Sequence, residues 1–104
     1  MSIFDRTIAL FGQENFNKLA KTKILIFGIG GVGGYTVEAL ARAGIQNFCL
    51  VDGDDISESN INRQIIATTK TVGLAKVDVM KNRILEINSS ALRIGNAPVI
   101  QHLQ

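Results

Sequence analysis

Residues 24–44, ILIFGIGGVGGYTVEALARAG, constrain this chain more than any other stretch. Ile24 to Phe27 is unbroken apolar sequence, which suits a parallel-sheet strand buried on both faces. Gly28, Gly30 and Gly33 follow at the spacing G-x-G-x-x-G. Beyond them Val37, Leu40 and Ala41 recur at core spacing on a helix expected over Val32–Ala43, and Gly44 stands where a left-handed cap is wanted. Strand, glycine turn and helix in that order can seat a phosphate on a helix N-terminus.

Each glycine has a physical task in such a turn. Gly28 permits the tight exit from the strand, Gly30 lets backbone approach a phosphate, and Gly33 lets the helix pack close to the sheet. The helix N-terminus adds free N–H groups and about half a positive charge. A second buried strand is expected over residues 48–51, ending on Asp52, which follows Gly33 by 19 residues. A carboxylate at that place can accept hydrogen bonds from ribose hydroxyls. These features alone leave NAD, FAD and ATP open.

The flanking sequence completes an α/β pattern. Ser2, followed three residues later by Asp5, reads as a helix start, with Ile3, Phe4, Ile8 and Phe11 on one apolar face and Gly12 as its end. A second short helix over residues 14–20 would turn Phe16 and Leu19 inward. Residues 53–73 are polar and show no period, and a loop of that length in a compact domain is often functional. From Leu74 a helix is expected, because Leu74, Val77, Met80, Ile84 and Ile87 fall three or four apart. Residues 92–94 are a third candidate strand. The whole is a Rossmann-like half, β-α-β-α-β with a parallel sheet, over residues 23–104, preceded by an N-terminal helical segment over residues 1–22.

Composition sets outer bounds. The 104 residues suffice for one small domain, and 46% hydrophobic with 19% charged residues is globular. The net charge of +2 is scattered, so charge alone marks no nucleic-acid footprint. The single cysteine, Cys49, lies within the second strand; it fits a core position and a reducing cytoplasm. No apolar run approaches the ~20 residues of a membrane span, so no membrane association is expected. His102 falls in a tail with no assigned element.

The polar segment discriminates among nucleotides. Gly28-Ile29-Gly30-Gly31-Val32-Gly33, then Asp52-Gly53-Asp54, then Ser59-Asn60-Ile61-Asn62-Arg63-Gln64, then Val72-Gly73-Leu74-Ala75-Lys76 stand in one order. These four motifs resemble those of the ubiquitin-activating-like adenylyltransferases, the ThiF, MoeB and HesA group. Within it, LFGQENFNKLAKTKILIFGIGGVG and NINRQIIATTKTVGLAKVDVMKNRILEIN most resemble the bacterial tRNA threonylcarbamoyladenosine dehydratase branch. That branch uses ATP to close a cyclic form of the modified tRNA base.

The resemblance implies attack of a carboxylate on the α-phosphate of ATP, with release of pyrophosphate. It places Asp52 on the ribose, and Arg63 and Lys76 on the phosphates, where they neutralise charge that builds up in the transition state. Asn60 would bridge ribose or phosphate as a neutral donor, and Asp54, Ser59 and Gly31 join the nucleotide set. In the family an N-terminal arginine crosses a dimer into the partner's ATP site, and Arg6 stands at that place. Taken singly, each residue has a plainer reading, since a loop Arg or Lys is ordinarily solvated and an Asp after a strand often caps the next turn.

The resemblance runs over residues 4–90. A second N-terminal arginine of the family pattern is replaced by Ala9. The aspartate that holds Mg2+ in the family lies in later strands without a counterpart here, so no magnesium ligand is assigned. With strand one unpaired on its far side, the chain is expected to form a homodimer or swapped oligomer. Expected partners are tRNA or a carboxylate-bearing carrier protein. Two other readings stand beside an ATP-dependent enzyme: a non-catalytic nucleotide-binding or assembly module, and a nicotinamide-binding domain.

Overall fold

A computed structural model describes residues 4–89, 91 and 93–96. Helix α1 spans Asp5–Phe11, α2 Gln13–Lys21 and α3 Val32–Ala43, and α4 covers Lys76–Ile87. The strands are β1 over Lys23–Phe27, β2 over Asn47–Val51 and β3 over Arg93–Asn96. They form one parallel sheet in the order β1-β2-β3, with Lys23 opposite Asn47 and Asn47 opposite Arg93. The expected β-α-β-α-β half is therefore present, with β2 central and β1 at an edge. Ser2 and Ile3, assigned to the first helix from sequence, lie outside the described residues, as does His102.

Both crossovers step the same way along the sheet, so right-handed connections put α3 and α4 on one face. Register places Ile24 and Ile26 beside Phe48 and Leu50 on that face. There they join Val37 and Ala41 of α3 and Met80 and Ile84 of α4 in one core. The opposite face differs from expectation. Strand β1 is not buried on both sides: Leu25 is 53% and Phe27 62% exposed. An unbroken apolar run fits a doubly covered strand, but no described element covers this second face.

Gly44 ends α3 in the left-handed conformation, φ 117°, which lets its N–H reach Ala41 and the N–H of Ile45 reach Leu40. Its missing side chain also receives α2. A Cβ at Gly44 would lie 2.6 Å from the Phe16 ring, and Phe16 in turn meets Phe4 with centroids 5.5 Å apart. The N-terminal helices thus dock at the C-terminal end of α3. In α1 the expected apolar face is only partly realised, because Phe11 is exposed and just Phe4, at the helix start, is buried.

The polar segment is a closed loop. Ile56 N–H donates to Leu74, Gly73 N–H to Ile56 and Lys76 N–H to Asp54, an antiparallel stitch around the Asp55–Ala75 bridge. This stitch holds Ala75 extended, so α4 starts at Lys76 rather than at the sequence-expected Leu74, which is 50% exposed. Inside the loop a 3-10 turn over Glu58–Asn60 and the buried Ile66 and Ala67 tie the segment to the core.

Candidate functional site

The glycine turn and the end of β2 share one mouth at the carboxyl edge of the sheet. Gly28 N–H continues the ladder to Val51, and the next amide, Ile29 N–H, donates to Asp52 Oδ2 at 2.8 Å. Asp52 Oδ1 accepts the N–H of Asp54, also at 2.8 Å. Asp52 is therefore a clasp between the turn and the polar loop, a task that the spacing argument did not assign to it. The remaining lone pairs of its carboxylate are the ones free to meet a ligand.

Beyond Ile29, the amides of Gly30, Gly31 and Val32 have no hydrogen-bond partner among the described residues. The first turn of α3 holds no acid and its cap residue, Gly31, offers no side chain. Successive free N–H groups at a positive helix end form an anion cradle. The glycines around it are explained by contact. A Cβ on Gly33 would sit 1.9 Å from the Gly28 carbonyl oxygen, inside the turn itself. Close packing onto the body of the fold falls instead to Gly34, where a Cβ would meet Ile29 and Ile65. The sequence reading gave that task to Gly33 and did not single out Gly34.

The polar loop brings Arg63 and Gln64 to the same mouth. Asn60 is buried, and its Oδ1 caps the 3-10 turn by accepting the N–H and Oγ of Ser57. Its Nδ2 is left as a donor, in keeping with the neutral role expected of it. Ser59 lies exposed, its Oγ 3.0 Å from that of Ser57. Arg63 donates to the Ser59 carbonyl at 2.8 Å and to Asn62 Oδ1, and it lines a shallow groove with Gly31, Val32 and Tyr35. Its guanidinium is thereby held beside the cradle with donors to spare.

Lys76 is 7% exposed, and its ammonium has no carboxylate or hydrogen-bond acceptor among the described residues. Its stem is buried while its ammonium keeps access to solvent, where it is available to an anion. Its backbone is pinned to Asp54, two residues beyond the Asp52 clasp. Gln64 closes the S-N-x-x-R-Q motif and has no sequence-expected role of its own. It is 9% exposed and its carboxamide lies against Gly30. The signal was its place after Arg63 in the same motif.

Arg6 is the site residue that this fold keeps away. It is exposed on α1, and Phe4 lines a cavity with Arg42, Arg83, Glu86 and Ile87 at the C-terminal ends of α3 and α4. The glycine turn lies at the other end of α3, about 18 Å off for its 12 residues. Among the described residues no group of three His, Cys, Asp or Glu side chains is placed to hold a metal ion.

Comparison with known proteins gives this geometry a lineage. The ThiF family model matches residues 4–97. The chain belongs to the ThiF family. It is 45% identical over 85 residues to tRNA threonylcarbamoyladenosine dehydratase of Bacillus subtilis, covering 82% of this chain and 34% of that protein. It is 40% identical over 81 residues to the sulfur carrier protein ThiS adenylyltransferase of Escherichia coli, covering 78% of this chain and 31% of that protein. The structure resembles that of the E. coli tRNA dehydratase in complex with ATP, with a TM-score of 0.86 and 44% identity, over 90% of this chain and 38% of that one. The chain thus spans about a third of the length of the relatives it matches. No helix among the described residues is long and apolar enough to cross a membrane.

Proposed function

We propose that this chain is the ATP-binding part of a ThiF-type enzyme that activates a carboxylate by adenylylation, with threonylcarbamoyladenosine in tRNA as the substrate. The observation that supports the reading is the set of free Gly30–Gly31–Val32 amides with the Asp52 clasp and Arg63 beside them, while the Lys76 backbone is pinned to Asp54 two residues past the clasp. A nicotinamide dinucleotide carries only its two bridging phosphates, whereas the more highly charged triphosphate calls for further cations, and Arg63 and Lys76 are available to supply them.

In this reading the ribose meets Asp52, and the phosphates meet the cradle, Arg63, Lys76 and the Asn60 amide. Asp54 and Ser59 flank the same mouth. The substrate carboxylate attacks the α-phosphorus, and pyrophosphate leaves as the acyl adenylate forms. Arg63 and Lys76 stabilise the charge that spreads over the phosphoryl oxygens. Ring closure then expels AMP, so the oxygen of the lost water departs on that phosphate. Magnesium accompanies ATP in such reactions, but the described residues assemble no ligand set for it, and no step is assigned to it.

Arg6 acts in a neighbouring copy. Its place on α1, which docks at the C-terminal end of α3, favours a role in trans, and the groove of Gly31, Val32, Tyr35 and Arg63 offers an apolar seat for another copy's α1, whose Leu10 and Phe11 are exposed. Titration calorimetry of the chain with ATP and, separately, with NAD tests the reading: ATP binds and NAD does not. Exchange of labelled pyrophosphate into ATP in the presence of modified tRNA separates an enzyme from a binding module. A chain that binds neither nucleotide refutes the assignment.

A further inference from the structure

Gln64 presents a combination that the folded chain does not explain by itself. Its side chain is 9% exposed, its Oε1 is wholly buried, and neither carboxamide atom has a hydrogen-bond partner among the described residues. Buried polar groups are nearly always partnered, so a carboxamide held here without one calls for a reason outside the folded chain. The carboxamide lies flat on Gly30: a Cβ at that position would be 2.7 Å from Nε2 and 2.9 Å from both Cδ and Oε1. Gly30 is the first of the three amides that form the cradle. The bareness of position 30 thus makes room for the Gln64 carboxamide as well as for backbone approach.

From this placement we infer that Gln64 is a nucleotide-contacting residue, donating its Nε2–H to an oxygen of the phosphate seated on the Gly30–Val32 amides. The inference rests on the ATP reading above and adds a residue to it. A phosphate offers only acceptors, so it takes the Nε2–H of the carboxamide, the neutral donor already packed against the cradle and not wholly buried, while Oε1 keeps its buried place. Because Gln64 adjoins Arg63, one short segment then supplies both a charged and a neutral donor. The neutral one adds direction without adding a second buried charge.

The test uses the full chain with Gln64→Met and Gln64→Glu, both close in volume to glutamine. Met removes the hydrogen bond and nothing else, so Gln64→Met should weaken ATP binding about tenfold or more by calorimetry. Gln64→Glu, which turns a carboxylate toward the phosphate, should weaken it further. Thermal unfolding without ligand supplies the second readout. A carboxamide waiting for a ligand has no folded-state partner to lose, so Gln64→Met should unfold at the same temperature or higher. Equal ATP affinity of Gln64→Met and the unsubstituted chain overturns the inference while the ATP reading survives. A lowered unfolding temperature overturns it too, by exposing a structural role. Failure of the unsubstituted chain to bind ATP removes the reading beneath it.

Discussion

Asp52 Oδ2 accepts the amide of Ile29 at 2.8 Å, joining residues 23 apart in sequence across the mouth of the first crossover. The same carboxylate accepts the amide of Asp54 through Oδ1. One side chain thereby fixes where the glycine turn stands relative to the loop that delivers Arg63 and Lys76. Asparagine cannot reproduce this, because either orientation of its amide sets an NH2 against an N–H donor. Asp52→Asn should cost about 1–3 kcal/mol of stability. At roughly 4–8 °C per kcal/mol for a domain of this size, circular dichroism melting resolves that loss. An unchanged melting temperature would mean that the clasp is not made.

Gly33 and Gly12 separate close approach from backbone preference. At Gly33 an added methyl meets the Gly28 carbonyl at 1.9 Å, and backbone has nowhere to go. At Gly12, φ +83°, it meets open space. Gly12→Ala should therefore cost about 1–3 kcal/mol, the penalty of an alanine held at φ 83°, ψ 157°, a region nearly restricted to glycine. Gly33→Ala should cost more than that and open the turn. Urea titrations of the two variants side by side check the order, and a milder effect at Gly33 would contradict the contact.

Lys76→Met keeps the buried stem and deletes the unpartnered charge. Since no described residue accepts from that ammonium, removing it should leave stability unchanged or raise it. Binding of ATP should fall by about one to two powers of ten while adenosine binding stays put, the mark of a charge-assisted phosphate contact. Parallel titrations with ATP and adenosine decide it; equal losses for both ligands would point to a general disturbance of the site.

Glu38 ties the two crossover helices together. Its carboxylate, on α3, bonds Nε of Arg83 on α4 and lies 3.8 Å from Arg42 one turn on. At 16% side-chain exposure for Glu38 and 35% for Arg83, the link is half shielded from salt. Glu38→Gln should destabilise by about 1 kcal/mol at low ionic strength and by less in 1 M salt. Denaturant midpoints at the two salt concentrations measure the difference, and a salt-independent loss would assign Glu38 to packing alone.

The bare edge and outer face of β1 should make the chain self-associate. Leu25 and Phe27 are exposed beside a strand edge that no described residue pairs, a surface that recruits another strand. Sedimentation velocity over a concentration series should show a dimer or larger species, and Leu25→Lys with Phe27→Lys should shift it toward monomer. A single monomeric species of the unsubstituted chain at high concentration would sink the expectation.

Sequence patterning made the α/β order legible because strand, turn and helix each have a local cause. Apolar continuity in residues 24–27, the glycines at 28, 30 and 33, helical spacing through Val37 and Ala41, and the cap at Gly44 all act within a few residues of themselves. The motif residues Asp52, Asn60, Arg63 and Lys76 were also legible as a set, because their order along the chain could be compared with that of a family.

The chain alone therefore determined which elements form and which residue types stand at the turn. Only the tertiary structure decided that both helices cover one face, leaving Leu25 and Phe27 in water. It alone gave Asp52 a structural task, moved the start of α4 to Lys76, set Gln64 against Gly30, and carried Arg6 to the far end of α3. The physical reason is range. Helix and turn signals are settled among near neighbours, whereas burial, orphaned polar groups and distances between sites arise only when segments remote in sequence are brought into contact.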